Sequence, residues 1–231
     1  MIVPTTNTVN EAEWSQMCSK DISFHTARMS LHGAQEDGDM IPAVLRDAME
    51  QLRPAGVATI AYNCTGGSMV TPVESLPQAM TALAGIPCTS AVAAIVAALA
   101  HLGVKRVAVA TPYYDAMNEQ WKRILMGCGF DVTIITGLGI GSGGTHEFTQ
   151  IAGLATAEVE TLAVDTFHAA PADALLLSCT DMPTLPILPQ LEESLGVPVI
   201  SSNTATLWRA LRLCELTPNI EGAGRLLCET E

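Results

Sequence analysis

"VATIAYNCTGGSM" (57–69) runs largely apolar through Tyr62, then stops on Asn63-Cys64-Thr65 ahead of two glycines. "ADALLLSCTDMPT" (172–184) repeats the frame, with Ser178-Cys179-Thr180 closing a second apolar run. One cysteine at such a place is ordinary packing; two in matching frames mark two equivalent strand ends. Both runs are near-continuous and do not alternate, the pattern of parallel strands covered on both faces.

Working outward, "RVAVAT" (106–111), "DVTIIT" (131–136) and "VPVIS" (197–201) read as further strands, with 56–62 and 173–178 around the two cysteines. Residues 40–52, 90–102, 116–128 and 203–216 read as amphipathic or buried helices. Strands alternating with helices over short connections predict an α/β fold with parallel sheets.

The alternation also repeats itself. "IVPTTNTVNEAEW" (2–14) echoes "VAVATPYYDAMNEQW" (107–121), and "GIPCTSAVAAIVAAL" (85–99) echoes "GVPVISSNTATLWRAL" (196–211). Trp14 and Trp121 are separated by 107 positions, Cys64 and Cys179 by 115, and Gly85 and Gly196 by 111. Three landmarks in one order at a nearly fixed offset predict a duplicated lobe. The expected division is lobe 1 at 1–90 plus 203–231 and lobe 2 at 91–202. The helix after "GIPC" opens the second lobe, and the C-terminal segment returns to close the first. Ligands of open α/β sheets bind at the carboxyl ends of strands, so facing lobes would bring both thiols to one cleft.

The bulk composition narrows the classes. A chain of 231 residues, 48% hydrophobic and 15% charged, has the balance of a globular protein. The longest apolar stretch, 91–103, is too short and Ala-rich to span a bilayer. The N-terminus lacks a cationic segment followed by an apolar core, so a cytoplasmic location is the expectation. A net charge of −13 disfavours nucleic acid and anionic membrane surfaces as partners. An anionic substrate remains open, because backbone N–H groups bind carboxylates without lysine. Seven widely spaced cysteines with no C-x-x-C pair argue against a disulfide framework or a structural zinc, and no metal is expected.

A thiol becomes a strong nucleophile or base once its thiolate is stabilised. Gly66 and Gly67 after Cys64, and Thr180-Asp181 before Met182-Pro183, both offer nearby backbone N–H groups for that purpose. Cys18, Cys88, Cys128, Cys214 and Cys228 read as small hydrophobes.

Taken in order over nearly the whole chain, "VPTTNTVNEAEW" (3–14), "FHTARM" (24–29), "AYNCTGGSM" (61–69), "VATPYYDAMNEQW" (109–121) and "LLLSCTDMPTLPIL" (175–188) carry a family resemblance. They resemble the aspartate/glutamate racemase superfamily, specifically its maleate cis-trans isomerase and arylmalonate decarboxylase branch, and most of all the isomerases. The resemblance implies two Rossmann-like lobes, an active site between them, no cofactor, and a homodimer or higher homo-oligomer. It implies that Cys64 adds to a substrate double bond and that Cys179 handles the proton or assists rotation and release. Asn7, with Thr8 beside it, matches an asparagine that holds one carboxylate, and Tyr113 matches a tyrosine that donates to it. Thr65 and Thr180 would hold the other carboxylate of a small substrate such as maleate.

The chain departs from that pattern in two places. The isomerases carry another asparagine before the second cysteine, whereas residues 119–202 contain none, which leaves that contact to Thr149 or Gln150. Thr-Gly-Gly-Ser after Cys64 replaces bulkier apolar groups and implies a wider pocket. Two facing thiols also suit a racemase of a small amino or hydroxy acid. A malonate decarboxylase uses the second cysteine alone, and a binding protein without chemistry needs neither thiol. "GLGIGSGGTHE" (137–147) does not keep the G-x-G-x-x-G frame and reads as a lid-like loop, not a cofactor site. Arg28, beside His25, reads as an inter-lobe or subunit ion-pair partner, with carboxylate contact the lesser option. His32, His101, His146 and His168 read as surface or packing residues.

Overall fold

The structure, a computed structural model, describes residues 1–18, 20–30 and 40–228. The reading of His32 lies outside them. Two four-stranded parallel sheets carry the fold. In the first, β1 (Ile2–Pro4), β2 (Ala27–Met29), β3 (Ile60–Tyr62) and β4 (Cys88–Ser90) are ordered β2-β1-β3-β4. In the second, β5 (Arg106–Tyr113), β6 (Asp131–Ile140), β7 (Ala174–Leu177) and β8 (Val199–Ser201) are ordered β6-β5-β7-β8. The two orders are the same once each sheet is numbered from its own first strand, which is what the sequence echo encodes.

Helices follow the strands in the same succession. After β1 comes α1 (Asn10–Met17), and after β5 comes α5 (Asp115–Gly127). Each buries an asparagine and a tryptophan: Asn10 and Trp14 in one, Asn118 and Trp121 in the other. α2 (Ala43–Leu52) and α3 (Ser75–Ala84) cover the first sheet, while α6 (Thr156–Ala169) and α7 (Leu188–Leu195) cover the second. α4 (Ala91–His101) and α8 (Ser202–Leu213) leave β4 and β8 and pack side by side.

Both of these last helices start on a serine that ends a strand. Ser90 Oγ accepts from Ala93 N at 3.4 Å. Ser201 Oγ accepts from Thr204 N at 3.1 Å, and Thr204 Oγ1 accepts from Ser201 N at 3.0 Å, a full capping box. Each cap satisfies N–H groups that a helix start would otherwise leave without partners. The Ala-rich face of α4 is thereby spent inside the chain, against α8.

One apolar cluster runs through both sheets, from Met1, Val3 and Trp14 to Val107, Leu176 and Trp208. A smaller one, with Leu45, Met49, Leu76 and Met80, lies beneath α2 and α3. Among the described residues no helix is long and apolar enough to cross a membrane.

The strand β6 corrects one boundary. It continues through Gly137 to Ile140, pairing Thr111 with Gly137 and Tyr113 with Ile140, so the first third of the expected loop is sheet. Crowding explains the glycine: a Cβ at 137 would lie 2.1 Å from the Tyr113 carbonyl oxygen and 2.3 Å from Asn118 Nδ2. Only a residue without a side chain lets the strand pass there.

Candidate active site

The carboxyl ends of β1, β3, β5 and β7 meet around one cavity of about 640 Å³. Asn7, Cys64, Thr65, Tyr113, Cys179 and Thr180 all line it, so strand ends from both sheets converge as expected. Thr8 does not: its side chain is exposed, and its backbone N–H donates to Asp181 Oδ1 at 2.8 Å. Thr149 and Gln150 are exposed and lie outside the lining; Gly144, Thr145, Phe148 and Ile151 supply that wall instead. The short helical turn Thr145–Gly153 turns Phe148 and Ile151 inward and leaves the two polar residues facing away.

Each thiol has a backbone donor on its sulfur and a phenol beside it. Cys64 Sγ accepts from Gly67 N at 3.2 Å and lies next to the Tyr62 hydroxyl. Cys179 Sγ accepts from Asp181 N at 3.4 Å and faces the Tyr113 hydroxyl. Burial raises both thiols, since a thiolate loses hydration there, and the donors oppose it. Cys179 is pushed up to about 12, with the Asp181 carboxylate and Cys64 itself adding to the rise. Tyr113 shares the cavity wall with Thr65 and Cys179, residues from both halves of the chain.

Tyr113 is held by its neighbours. Asn118 Nδ2 donates to its carbonyl at 3.2 Å, and Thr111 Oγ1 donates to Asn118 Oδ1 at 2.6 Å. Phe148 packs edge-on to its ring, centroids 6.5 Å apart. The glycine segment behind Phe148 is fixed by Glu147, whose Oε2 accepts from Gly141 N at 2.8 Å and Gly143 N at 3.2 Å. Those donors hold the Glu147 carboxyl below its ordinary range.

Asn7 Nδ2 donates to Thr180 Oγ1 at 3.3 Å, a bond between the two halves. Arg28 stays outside the cavity and pairs with Glu11, also giving Nη1 to the Asn7 carbonyl at 2.8 Å. Both partners belong to the first half of the chain, and Arg28 also acts electrostatically on Asp181 from the second. His25, His101, His146 and His168 are exposed.

Sequence reasoning missed Tyr62 and a buried polar chain behind both thiols. Asn63 Nδ2 donates to Asn10 Oδ1 at 3.1 Å, Asn10 Nδ2 to Asn203 Oδ1 at 2.5 Å, and Asn203 Nδ2 to Glu13 Oε2 at 2.6 Å. Glu13 Oε1 then accepts from Thr184 N at 2.7 Å and Leu185 N at 2.8 Å. The residue before Cys64 is thus connected to the loop after Cys179. Asp181 reaches the other way and accepts from Thr8 N and Val9 N, in the turn just before α1. Burial raises the Glu13 carboxyl, and the four donating groups oppose it. A signal existed: Asn10, Glu13, Trp14 and Met17 fall at the spacing of one helix face, and an acid on an otherwise inward face needs partners.

Among the described residues no group of three His, Cys, Asp or Glu is placed to hold a metal ion. Fold and site together define a two-lobed α/β protein that carries one thiol at each of two facing strand ends. The chain belongs to the arylmalonate decarboxylase family, whose family model matches residues 1–227. It is 33% identical to an arylmalonate decarboxylase of Bordetella bronchiseptica over 218 residues, 92% of this chain and 88% of that protein. It is 29% identical to a maleate isomerase of Nocardia farcinica over 241 residues, 98% of this chain and 94% of that one. Among solved structures it resembles a cysteine-to-serine mutant of the Nocardia farcinica maleate cis-trans isomerase with a covalently bound succinylcysteine intermediate. That match has TM-score 0.84 and 25% identity, covering 100% of this chain and 97% of the other.

Proposed function

We propose that this protein isomerises a small cis-dicarboxylate of the maleate type to its trans form through a Cys64 adduct. The observation that carries the reading is two thiols from facing strand ends lining one cavity, each with a backbone N–H on its sulfur and a phenol nearby. The relatedness to maleate isomerases, one of them solved with a succinylcysteine, supports it.

In the proposed sequence the Cys64 thiolate forms a C–S bond to one alkene carbon, and the π pair moves onto the neighbouring carbon and its carboxylate. Cys179 gives its proton to that carbon, leaving a succinyl thioether with a single bond free to rotate. After rotation by about 180° Cys179 takes a proton back, the C–S pair returns to sulfur, and the trans alkene leaves. Covalent catalysis of this kind divides one high barrier into lower ones. A thiol pushed up to about 12 is protonated at neutral pH, which suits the donor role of Cys179. Asn7, Tyr113, Thr65 and Thr180 hold the two carboxylates, the donors standing where negative charge develops. No cofactor takes part in this sequence. In this reading the cleft divides residues 1–90 with 203–231 from residues 91–202. What supports the division is that the first sheet takes its strands from 2–90 and the second from 106–201. The protein acts in the cytoplasm as a homodimer or higher homo-oligomer.

A second reading has its own observation. A cavity of about 640 Å³ with Met69, Met117, Phe148 and Ile151 on its walls holds more than a four-carbon dicarboxylate. The same thiols would then move a proton at the α-carbon of a bulkier acid, by racemisation or after decarboxylation. Incubation with maleate tests the first reading: fumarate formation that needs both cysteines supports it. No conversion of maleate, with release of CO2 from a 2-arylmalonate, favours the second.

A further inference from the structure

Tyr62 closes β3, is buried and does not line the cavity, yet its hydroxyl lies next to Cys64 Sγ. Gly67 shows how tightly the two side chains share their space. A Cβ at 67 would lie 2.1 Å from Tyr62 Oη and 3.1 Å from Cys64 Sγ. Gly67 is not among the residues with positive φ, so its backbone does not demand glycine; the phenol does. Its own N–H meanwhile donates to the same sulfur at 3.2 Å. Cys64 Sγ therefore has a phenol and an amide behind it and the cavity in front.

We propose that Tyr62 is a positioning residue for Cys64: from behind the cavity wall its hydroxyl holds the sulfur as a thiolate aimed at the substrate, on a seat that glycine at 67 keeps open. Hydrogen bonds to the charged form favour that form and fix where it points. The proposal rests on the reading of Cys64 as a reacting thiol. It adds to that reading a matched design, in which each thiol has its own phenol: Tyr62 from the same strand as Cys64, Tyr113 from the strand beside Cys179. The titratable groups facing Cys64 are Tyr62 from its own strand and Tyr113 and Cys179 from the opposite strand ends.

The test needs no substrate. The intact protein is alkylated with iodoacetamide across a pH series, and the peptides bearing Cys64 and Cys179 are followed separately by mass spectrometry. In Tyr62→Phe the Cys64 midpoint is expected to rise by about one pH unit, slowing its alkylation at neutral pH about tenfold. Gly67→Ala, which pushes the phenol from its seat, should move Cys64 in the same direction and serves where Tyr62→Phe fails to fold. Cys179 should keep its wild-type profile in both. An unmoved Cys64 profile overturns the proposal, as does an equal shift of both thiols, which is what a general loosening of the fold would produce. Conversion of maleate by the wild type is scored separately: its absence with the Cys64 shift intact removes the substrate and leaves Tyr62 in its role.

Discussion

The two thiols occupy equivalent places in equivalent sheets, yet their surroundings differ. Cys64 is followed by Thr65 and two glycines; its donor is Gly67 N, and the nearby phenol is Tyr62 of its own strand. Cys179 is followed by Thr180 and then Asp181, whose carboxylate opposes its ionisation, and its phenol comes from the neighbouring β5. The two sulfurs thus share one cavity in unlike surroundings. Burial raises both thiols, and only Cys179 has a carboxylate adding to the rise; under the proposed function that difference assigns Cys64 the nucleophile's part and Cys179 the acid's.

The largest expected effect comes from removing either side of that comparison. Cys64→Ala and Cys179→Ala should each lower turnover at least about a thousandfold, and the double variant little further, because the thiols act as one unit. Additive losses, measured by steady-state rates, would break the pairing. Next in size is Tyr113→Phe, which removes the phenol hydroxyl facing Cys179 in the cavity. Turnover should fall about a hundredfold with little change in stability. A loss confined to KM would show that Tyr113 only holds substrate.

Glu13→Gln tests whether the two strand ends are held to one another. The amide turns a donor toward Thr184 N and Leu185 N, or toward Asn203, and leaves buried donors without an acceptor. The expected cost is roughly 3 kcal/mol, seen in urea unfolding. In a chain of this size that is a fall in Tm of about 6–12 °C. A stability change below about 0.5 kcal/mol would mean that the chain from Asn63 to Leu185 does not tie the halves.

The smallest effect should lie at the far end of the second sheet, where Asp173 accepts from Arg106 Nη2 at 2.8 Å and from Arg106 N at 2.8 Å. Those bonds lower the Asp173 carboxyl from 3.8 to about 2. A carboxyl lowered by folding stabilises above its unfolded value, and that contribution is lost as pH falls from 3.8 toward 2. Asp173→Asn should therefore lower Tm slightly at pH 7, less in high salt because the pair is exposed, and not at all once the pH is well below 2. Turnover should be unchanged, which separates the ends of the sheet that act from those that only support.

Much of this was legible in the sequence because it depends on local order. A continuous apolar run that ends on polar residues gives a parallel strand and its carboxyl end, and the recurrence of Cys-Thr gave the pairing. The strands of the first sheet are three residues each, too short for periodicity to mark β4. Gly137–Ile140 read as loop because glycine disfavours strands, while the reason for glycine there, the Tyr113 carbonyl and Asn118, lies on other elements. The chain through Asn10, Asn203 and Glu13 joins residues 190 or more positions apart, and only folding brings them together. Thr149 and Gln150 failed as carboxylate ligands for a similar reason: the direction of a side chain on a short helical turn is set by what that turn packs against.

The most direct test of the paired-thiol mechanism is proton NMR of maleate with the wild-type protein in D2O, with Cys64→Ala and Cys179→Ala beside it. The expected result is fumarate carrying deuterium at a vinyl position, formed by the wild type and by neither variant. Fumarate without deuterium, or conversion that survives the loss of Cys179, would contradict the acid role assigned to the second thiol; no fumarate at all would contradict the isomerase itself.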